Sequence, residues 1–250
     1  AGVSSYAESR RMAEPEGLQA FRTAEAAART VRAGFTTVRE MSGRDYLDVQ
    51  LARAVEEGLV LGPTVLPSGL GLTITGGHVH RRCVEVDSPD EVRKEVRRHV
   101  KNGARWIKLM GVTGGMSTVG RHPLAPQFTL EEIQAGVDEA HRAGVRVAVH
   151  AHGAEGIANA VEAGVDTVEH GTYLTDALAE RMAERGIALV PTLMNDMMFQ
   201  QALERGEVGH RVVQQRRKLA DEGHPVPGAR DRIELARRHG VTILAGTDCG

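Results

Sequence analysis

The sequence has few cysteines, almost no net charge and no long apolar run, and each shortage removes a class of protein. Cys83 and Cys249 are its two cysteines. They are too few for a disulfide framework, which fits a reducing compartment and makes the cytoplasm the expected location. A formal net charge of −2 leaves no electrostatic footprint for nucleic acid. The basic clusters Arg93–Arg98 and Arg216–Lys218 fall in helix-like stretches and read as solvated faces. No apolar run approaches the ~20 residues that a membrane span needs, and the N-terminus lacks a charged-then-apolar signal pattern. Neither a nucleic acid nor a membrane is therefore an expected partner. What is present, 250 residues of which 41% are hydrophobic, suffices for one large domain with a buried core.

One phrase recurs along the chain: an amphipathic helix, a small residue plus Gly, a short apolar strand, then a polar residue. The copies are Ala33-Gly34 into Thr36–Arg39, Asn102-Gly103 into Trp106–Lys108, Ala143-Gly144 into Val145–His150, Ala163-Gly164 into Val165–His170, Arg185-Gly186 into Ile187–Thr192, and His239-Gly240 into Val241–Asp248. A Gly at that place closes a helix in the left-handed conformation and opens the strand. The strands are apolar runs, as in parallel sheets covered by helices. Ser88-Pro89-Asp90-Glu91 and Thr129-Leu130-Glu131-Glu132 read as capping boxes at helix starts.

With Thr64–Pro67 added, the count is seven βα strands, one short of a closed (β/α)8 TIM barrel. Residues 1–19 are polar and irregular and lead into a helix over Leu18–Ala33, which resembles the loop and helix after a first strand. The expectation is that residues 1–250 are strands two to eight of one barrel, excerpted from a longer chain, without the first strand.

Functional residues of parallel βα folds gather at the carboxyl ends of the strands. Gly103 leads in five residues to Lys108, Gly144 in six to His150, Gly164 in six to His170, and Gly240 in eight to Asp248. All four end apolar strands and are predicted to face one cavity. Two imidazoles and a carboxylate form a natural donor set for zinc with a position open to water. Lys108 is the odd member, because an ammonium beside a metal is repelled. Three readings of it stand open: carbamylation by carbon dioxide into an anionic ligand bridging two metals, a Schiff-base nucleophile as in aldolase-like barrels, or a buried ion pair with Glu169 or Asp248.

At these residues the sequence resembles the amidohydrolase superfamily, in its imidazolonepropionase-like and prolidase-like branch, which includes Xaa-Pro dipeptidases and metal-dependent carboxypeptidases. The matching phrases are Gly34-Phe-Thr-Thr-Val-Arg39, Thr75-Gly-Gly-His78, Trp106-Ile-Lys108, Val147-Ala-Val-His-Ala-His152, Val168-Glu-His-Gly171 and Gly246-Thr-Asp248. The resemblance implies a metal-dependent hydrolase barrel, accompanied by a terminal small β domain absent from residues 1–250, with two zinc-like ions, a carbamylated Lys108 bridging them, His150 and His170 on the second metal and Asp248 on the first. The family's His-x-His pair of strand one has no match before Ala20. His78-Val79-His80 has that spacing but lies in a Gly-rich loop after the third strand, so His78 is read instead as a substrate-side residue.

The mechanism implied is attack by a metal-bridged hydroxide on an amide bond of a dipeptide, N-acyl amino acid or related carboxamide, with Asp248 as proton shuttle. Tyr173 is placed to donate a hydrogen bond to the carbonyl oxygen or to a substrate carboxylate. His152 shares the face of His150 if the strand continues and is a further substrate-binding candidate. Alternatives are a mononuclear cyclic-amide hydrolase of the imidazolonepropionase type, a Schiff-base lyase using Lys108, and a non-catalytic barrel. The expected partners are a small-molecule substrate and, as a homo-oligomer, further copies of the chain. Gly111–Gly120 reads as a lid. Met194, Met197, Met198 and Phe199 are candidates for an apolar pocket wall, and Arg217, His224 and Arg230 for a substrate carboxylate.

Overall fold

The computed structural model describes residues 14–114, 117, 122–194, 197, 201, 204–205 and 211–248. In chain order the elements are α1 (Glu16–Arg32), β1 (Thr37–Glu40), α2 (Leu47–Glu56), β2 (Thr64–Pro67), β3 (Gly71–Thr73), β4 (Cys83–Glu85), α3 (Pro89–Lys101), β5 (Trp106–Leu109), α4 (Leu130–Arg142), β6 (Arg146–Ala151), α5 (Ala154–Ala163), β7 (Thr167–His170), α6 (Asp176–Glu184), β8 (Ala188–Val190), α7 (Arg211–Asp221) and α8 (Ala229–Arg238). Every strand pair is parallel, which requires a crossover between neighbours, and helices supply most of them. The six glycines read as helix closers all have positive φ, between 68° and 98°. Thr129 and Glu132 form a reciprocal capping box. Ser88 caps α3 through the Glu91 amide, whereas the Glu91 carboxylate accepts from the Asp87 amide, one residue earlier than a capping box would place it.

The strands form a partial (β/α)8 barrel. A six-stranded sheet runs β4-β3-β5-β6-β7-β8, and β1-β2 form a separate pair. A break falls between β2 and β3: β2 pairs with β1, and β3 pairs with β5. Backbone bonds from Arg105 to the Pro67 carbonyl (2.8 Å) and from Met110 to the Leu72 carbonyl (2.7 Å) carry β5 across the break. The split was not readable as a pattern, because β3 and β4 have only three residues each. The predicted strand over Val241–Asp248 is reduced to a bridge between Leu189 and Ile243, because it pairs on one side only and residues 242–248 are exposed.

Alternation along each strand separates core from site. Ile107, Leu109, Val147, Val149, Ala151 and Val168 join the hydrophobic core with Val92 and Val96 of α3, Ile133 and Val137 of α4, and Ile157 and Val161 of α5. The residues between them, Lys108, Ala148, His150, Thr167 and Glu169, therefore point to the other side, into the barrel. Arg39 crosses that interior. Its guanidinium lies 4.5 Å from the Trp106 ring centroid, and it donates to Thr167 Oγ1 and Glu169 Oε1, both at 3.2 Å. One side chain of β1 thus ties the two-stranded pair to the large sheet.

The break at Ser68–Leu70 is held by helices. Buried Asp48 of α2 accepts from the Ser68 amide (2.9 Å) and the Gly69 amide (2.8 Å) through one oxygen. His99 of α3 contacts the Leu70 carbonyl at 2.8 Å through Nε2. Replacing Asp48 with Ala strands two buried amides, and the expected loss is about 3 kcal/mol of unfolding free energy. Urea denaturation should show a lower midpoint at unchanged slope.

Candidate metal centre

Three histidines meet at the carboxyl ends of β6 and β7. His150, His152 and His170 each offer a ring nitrogen, and these nitrogens lie within 4.8 Å of one another. Nε2 of His170 is 2.9 Å from Nδ1 of His150. His150 reaches this point by ordinary strand alternation. His170 does not, since Val168 of the same strand faces the core. Its φ of +71° breaks the extended run and redirects the ring. Thr192 after β8 and Asp248 after the last bridge are left-handed as well, at +49° and +52°. Such backbone costs about 1–3 kcal/mol per residue and persists where surrounding structure imposes it, often at functional sites.

The electrostatics suit cation binding. Burial holds His150 and His170 well below the ordinary histidine range, and mutual proximity to His78, His152 and Lys108 lowers both further. Neutral rings keep a lone pair available as a ligand. The nitrogens that converge are Nε2 of His170 and Nδ1 of His150, and Nε2 of His150, on the opposite edge of its ring, is buried without a hydrogen-bond partner. Lys108, only 4% exposed, is also pushed down by burial, against the raising fields of Glu169 and Asp248. Glu169 itself is engaged by Arg39 and by Thr167 Oγ1 at 2.7 Å. The donor chemistry therefore fits a divalent cation, with His150 and His170 converging and Lys108 and Asp248 within electrostatic reach.

The family model described as the amidohydrolase family matches residues 3–250. The chain belongs to the amidohydrolase family. Among curated relatives, ochratoxinase of Aspergillus niger is 31% identical over 241 residues, covering 86% of this chain and 48% of its own length. The chain spans about half the length of the curated relatives it matches. A solved Xaa-Pro dipeptidase with bound methionine in its active site is 34% identical, with a TM-score of 0.81 over 94% of this chain and 60% of that one. A prolidase complexed with N-methylphosphonate-L-proline is 32% identical, with a TM-score of 0.78 over 95% of this chain and 60% of that one.

Around these histidines the remaining sequence candidates separate. His78 is buried and stacks on His150 with ring centroids 4.0 Å apart. Its amide donates to Gln127 Oε1 at 2.8 Å, which joins its loop to the segment after β5. His80 lies 3.4 Å from Glu85 instead. His152 belongs to the cluster, stacked on His170 at 4.6 Å. The Tyr173 hydroxyl donates to the His224 carbonyl at 2.8 Å, tying the segment after β7 to the loop before α8.

Met194 and Met197 are 42% and 57% exposed. Met198 and Phe199 lie outside the described residues, as do several residues of the proposed lid over Gly111–Gly120. Arg217, His224 and Arg230 are exposed. The buried arginine of this region is Arg232, which donates to the Pro191 carbonyl at 3.0 Å.

Three threonines, which carry no ligand signal in the sequence, contact the histidine segment. Thr113 Oγ1 accepts from the amides of His152 (2.6 Å) and Gly153 (3.1 Å). Thr172 and Thr192 place their hydroxyls 2.7 Å from Nδ1 of His152 and of His170. Glu40, ending β1, was also missed. Enclosure by protein and the Asp48 and Asp248 charges, partly offset by Arg82, push its carboxyl up to about 7, although the residue keeps an open surface. Each shows only as an unremarkable polar residue at a strand end.

Proposed function

We propose that residues 1–250 form strands two to eight of a hydrolase barrel that cleaves an amide C–N bond in a dipeptide, N-acyl amino acid or related carboxamide. The observation that carries the reading is the convergence of two buried, neutral imidazoles, His150 and His170, beside a buried Lys108. Likeness to a Xaa-Pro dipeptidase, a prolidase and an ochratoxinase supports an amide-type substrate.

His150 and His170 would hold a divalent cation, Asp248 a second, and Lys108 both as its carbamate. Two zinc-like ions, when bound, supply Lewis-acid polarisation of the scissile carbonyl and acidify water at neutral pH. The residues do the rest. Depression of the Lys108 pKa leaves an amine lone pair that forms an N–C bond to carbon dioxide with release of one proton. Asp248 accepts a proton at its carboxylate and returns one to the leaving nitrogen. His78 and His152 would flank the metal-holding rings on the substrate side, and Tyr173 would donate its hydroxyl to the substrate's carbonyl oxygen or carboxylate in place of the His224 carbonyl. The same proposal includes a small-molecule substrate, a homo-oligomer and a cytoplasmic location; no helix among the described residues is long and apolar enough to cross a membrane.

The test is elemental analysis of the full-length protein together with a panel of dipeptides and N-acyl amino acids, with zinc and bicarbonate supplied. About two ions per chain and chelator-sensitive hydrolysis are expected. Activity that survives chelation, with borohydride trapping a carbonyl substrate on Lys108, would overturn the reading in favour of a Schiff-base lyase.

A further inference from the structure

Of the three threonines behind the histidines, Thr192 is the most constrained. It is 5% exposed and left-handed, with φ of +49°. A β-branched residue adopts that conformation only where its surroundings impose it. Arg232 of α8, itself 3% exposed, donates from Nη2 to the carbonyl of Pro191, the residue before Thr192, and so braces the backbone at this turn. The hydroxyl so aimed meets Nδ1 of His170 at 2.7 Å.

On its other edge the His170 ring shares a contact with His150, Nε2 to Nδ1 at 2.9 Å. Between two neutral rings, such a contact consists of one N–H and one lone pair. Directing both of these nitrogens at a cation requires two lone pairs, so the shared proton has to move to the far nitrogen of one ring. If it leaves His170 Nε2 it arrives at Nδ1, facing Thr192. If it leaves His150, Nδ1 of His170 carries its proton throughout. A hydroxyl satisfies Nδ1 in either event, accepting from an N–H or donating to a lone pair by rotating its hydrogen. A carboxylate or carbonyl in that place could only accept.

We propose that Thr192 is a positioning residue for His170: its hydroxyl, aimed by the Arg232–Pro191 contact, keeps the ring turned with Nε2 toward His150 in both tautomers. This rests on the metal-holding reading of His150 and His170. The general precedent is that partners of the non-coordinating nitrogen orient a ligating histidine, and their loss typically weakens metal affinity tenfold or more.

The experiment compares wild type, Thr192→Val and Thr192→Ser in the full-length protein. Zinc affinity is read by competition with a chromophoric chelator, and the His170 nitrogens by ¹⁵N imidazole spectra with and without zinc. Val, which keeps the shape and removes the hydroxyl, is expected to weaken zinc ~10–100-fold, whereas Ser stays within ~3-fold of wild type. The Nδ1–H signal of His170 in the zinc-bound wild type should shift in the Val variant and persist in the Ser variant. Wild-type affinity in the Val variant, or an equal loss in Val and Ser, would overturn the proposal. If wild-type protein takes up no zinc, the metal reading fails by itself; the zinc-free spectra then decide on Thr192, and an unaltered His170 ring in the Val variant overturns it.

Discussion

Replacing His150 with Ala is expected to lower kcat/KM by about a thousandfold or more and to strip the tightly held cation, since metal polarisation of a carbonyl contributes several kcal/mol to the transition state and each 1.36 kcal/mol is a factor of ten. His150 is chosen because its ring meets the other three histidines of the site. It lies against His170 at 2.9 Å, stacks on His78 with centroids 4.0 Å apart, and makes an edge contact with His152 at 4.7 Å. The protein should stay folded, because the change also removes a buried nitrogen without a partner, Nε2. Circular dichroism checks the fold, elemental analysis the cation, and steady-state kinetics the rate. Wild-type turnover in a variant lacking this ring would place the chemistry elsewhere.

The second large effect concerns Lys108, and its activity and stability components have opposite signs. Substituting Lys108 with Met is expected to abolish turnover to a similar degree, about a thousandfold, while raising the stability of the protein measured without added metal. The lysine is 4% exposed and its ammonium form is disfavoured first by burial. An apolar side chain of similar length carries no such desolvation penalty, and because that penalty outweighs the favourable fields of Glu169 and Asp248, the exchange is expected to raise the unfolding midpoint. Thermal unfolding checks this arm. The chemical arm uses Lys108→Ala with added short-chain carboxylic acids, which place a carboxylate where the carbamate would stand. Partial recovery of activity is expected, and its absence together with borohydride-sensitive labelling of the wild-type lysine would point to imine chemistry.

Much of this architecture was legible because local rules and the global fold agree. The glycines at 34, 103, 144, 164, 186 and 240 have to be left-handed to end helices, so they mark the strand that follows each. The apolar strand residues have to meet helices, so the polar residue in each alternation had to face the barrel, as Lys108 and His150 do. The short β3 and β4 were not legible because three residues carry no periodicity. The single bridge at Ile243 was overestimated as a strand because apolar composition does not report whether both edges find partners.

The sequence alone determined the fold class, the order of the βα units and the four strand-end residues proposed for the site. Those depend on helix stops, strand alternation and residue chemistry, which are properties of neighbours along the chain. Only the tertiary structure decided that His170 turns toward His150 through left-handed backbone, that Arg39 donates to Glu169, and that Thr192 stands behind the His170 ring. Each of these joins residues from different strands, and in a barrel the register and closure that bring strands together are set by packing of the whole rather than by any one segment.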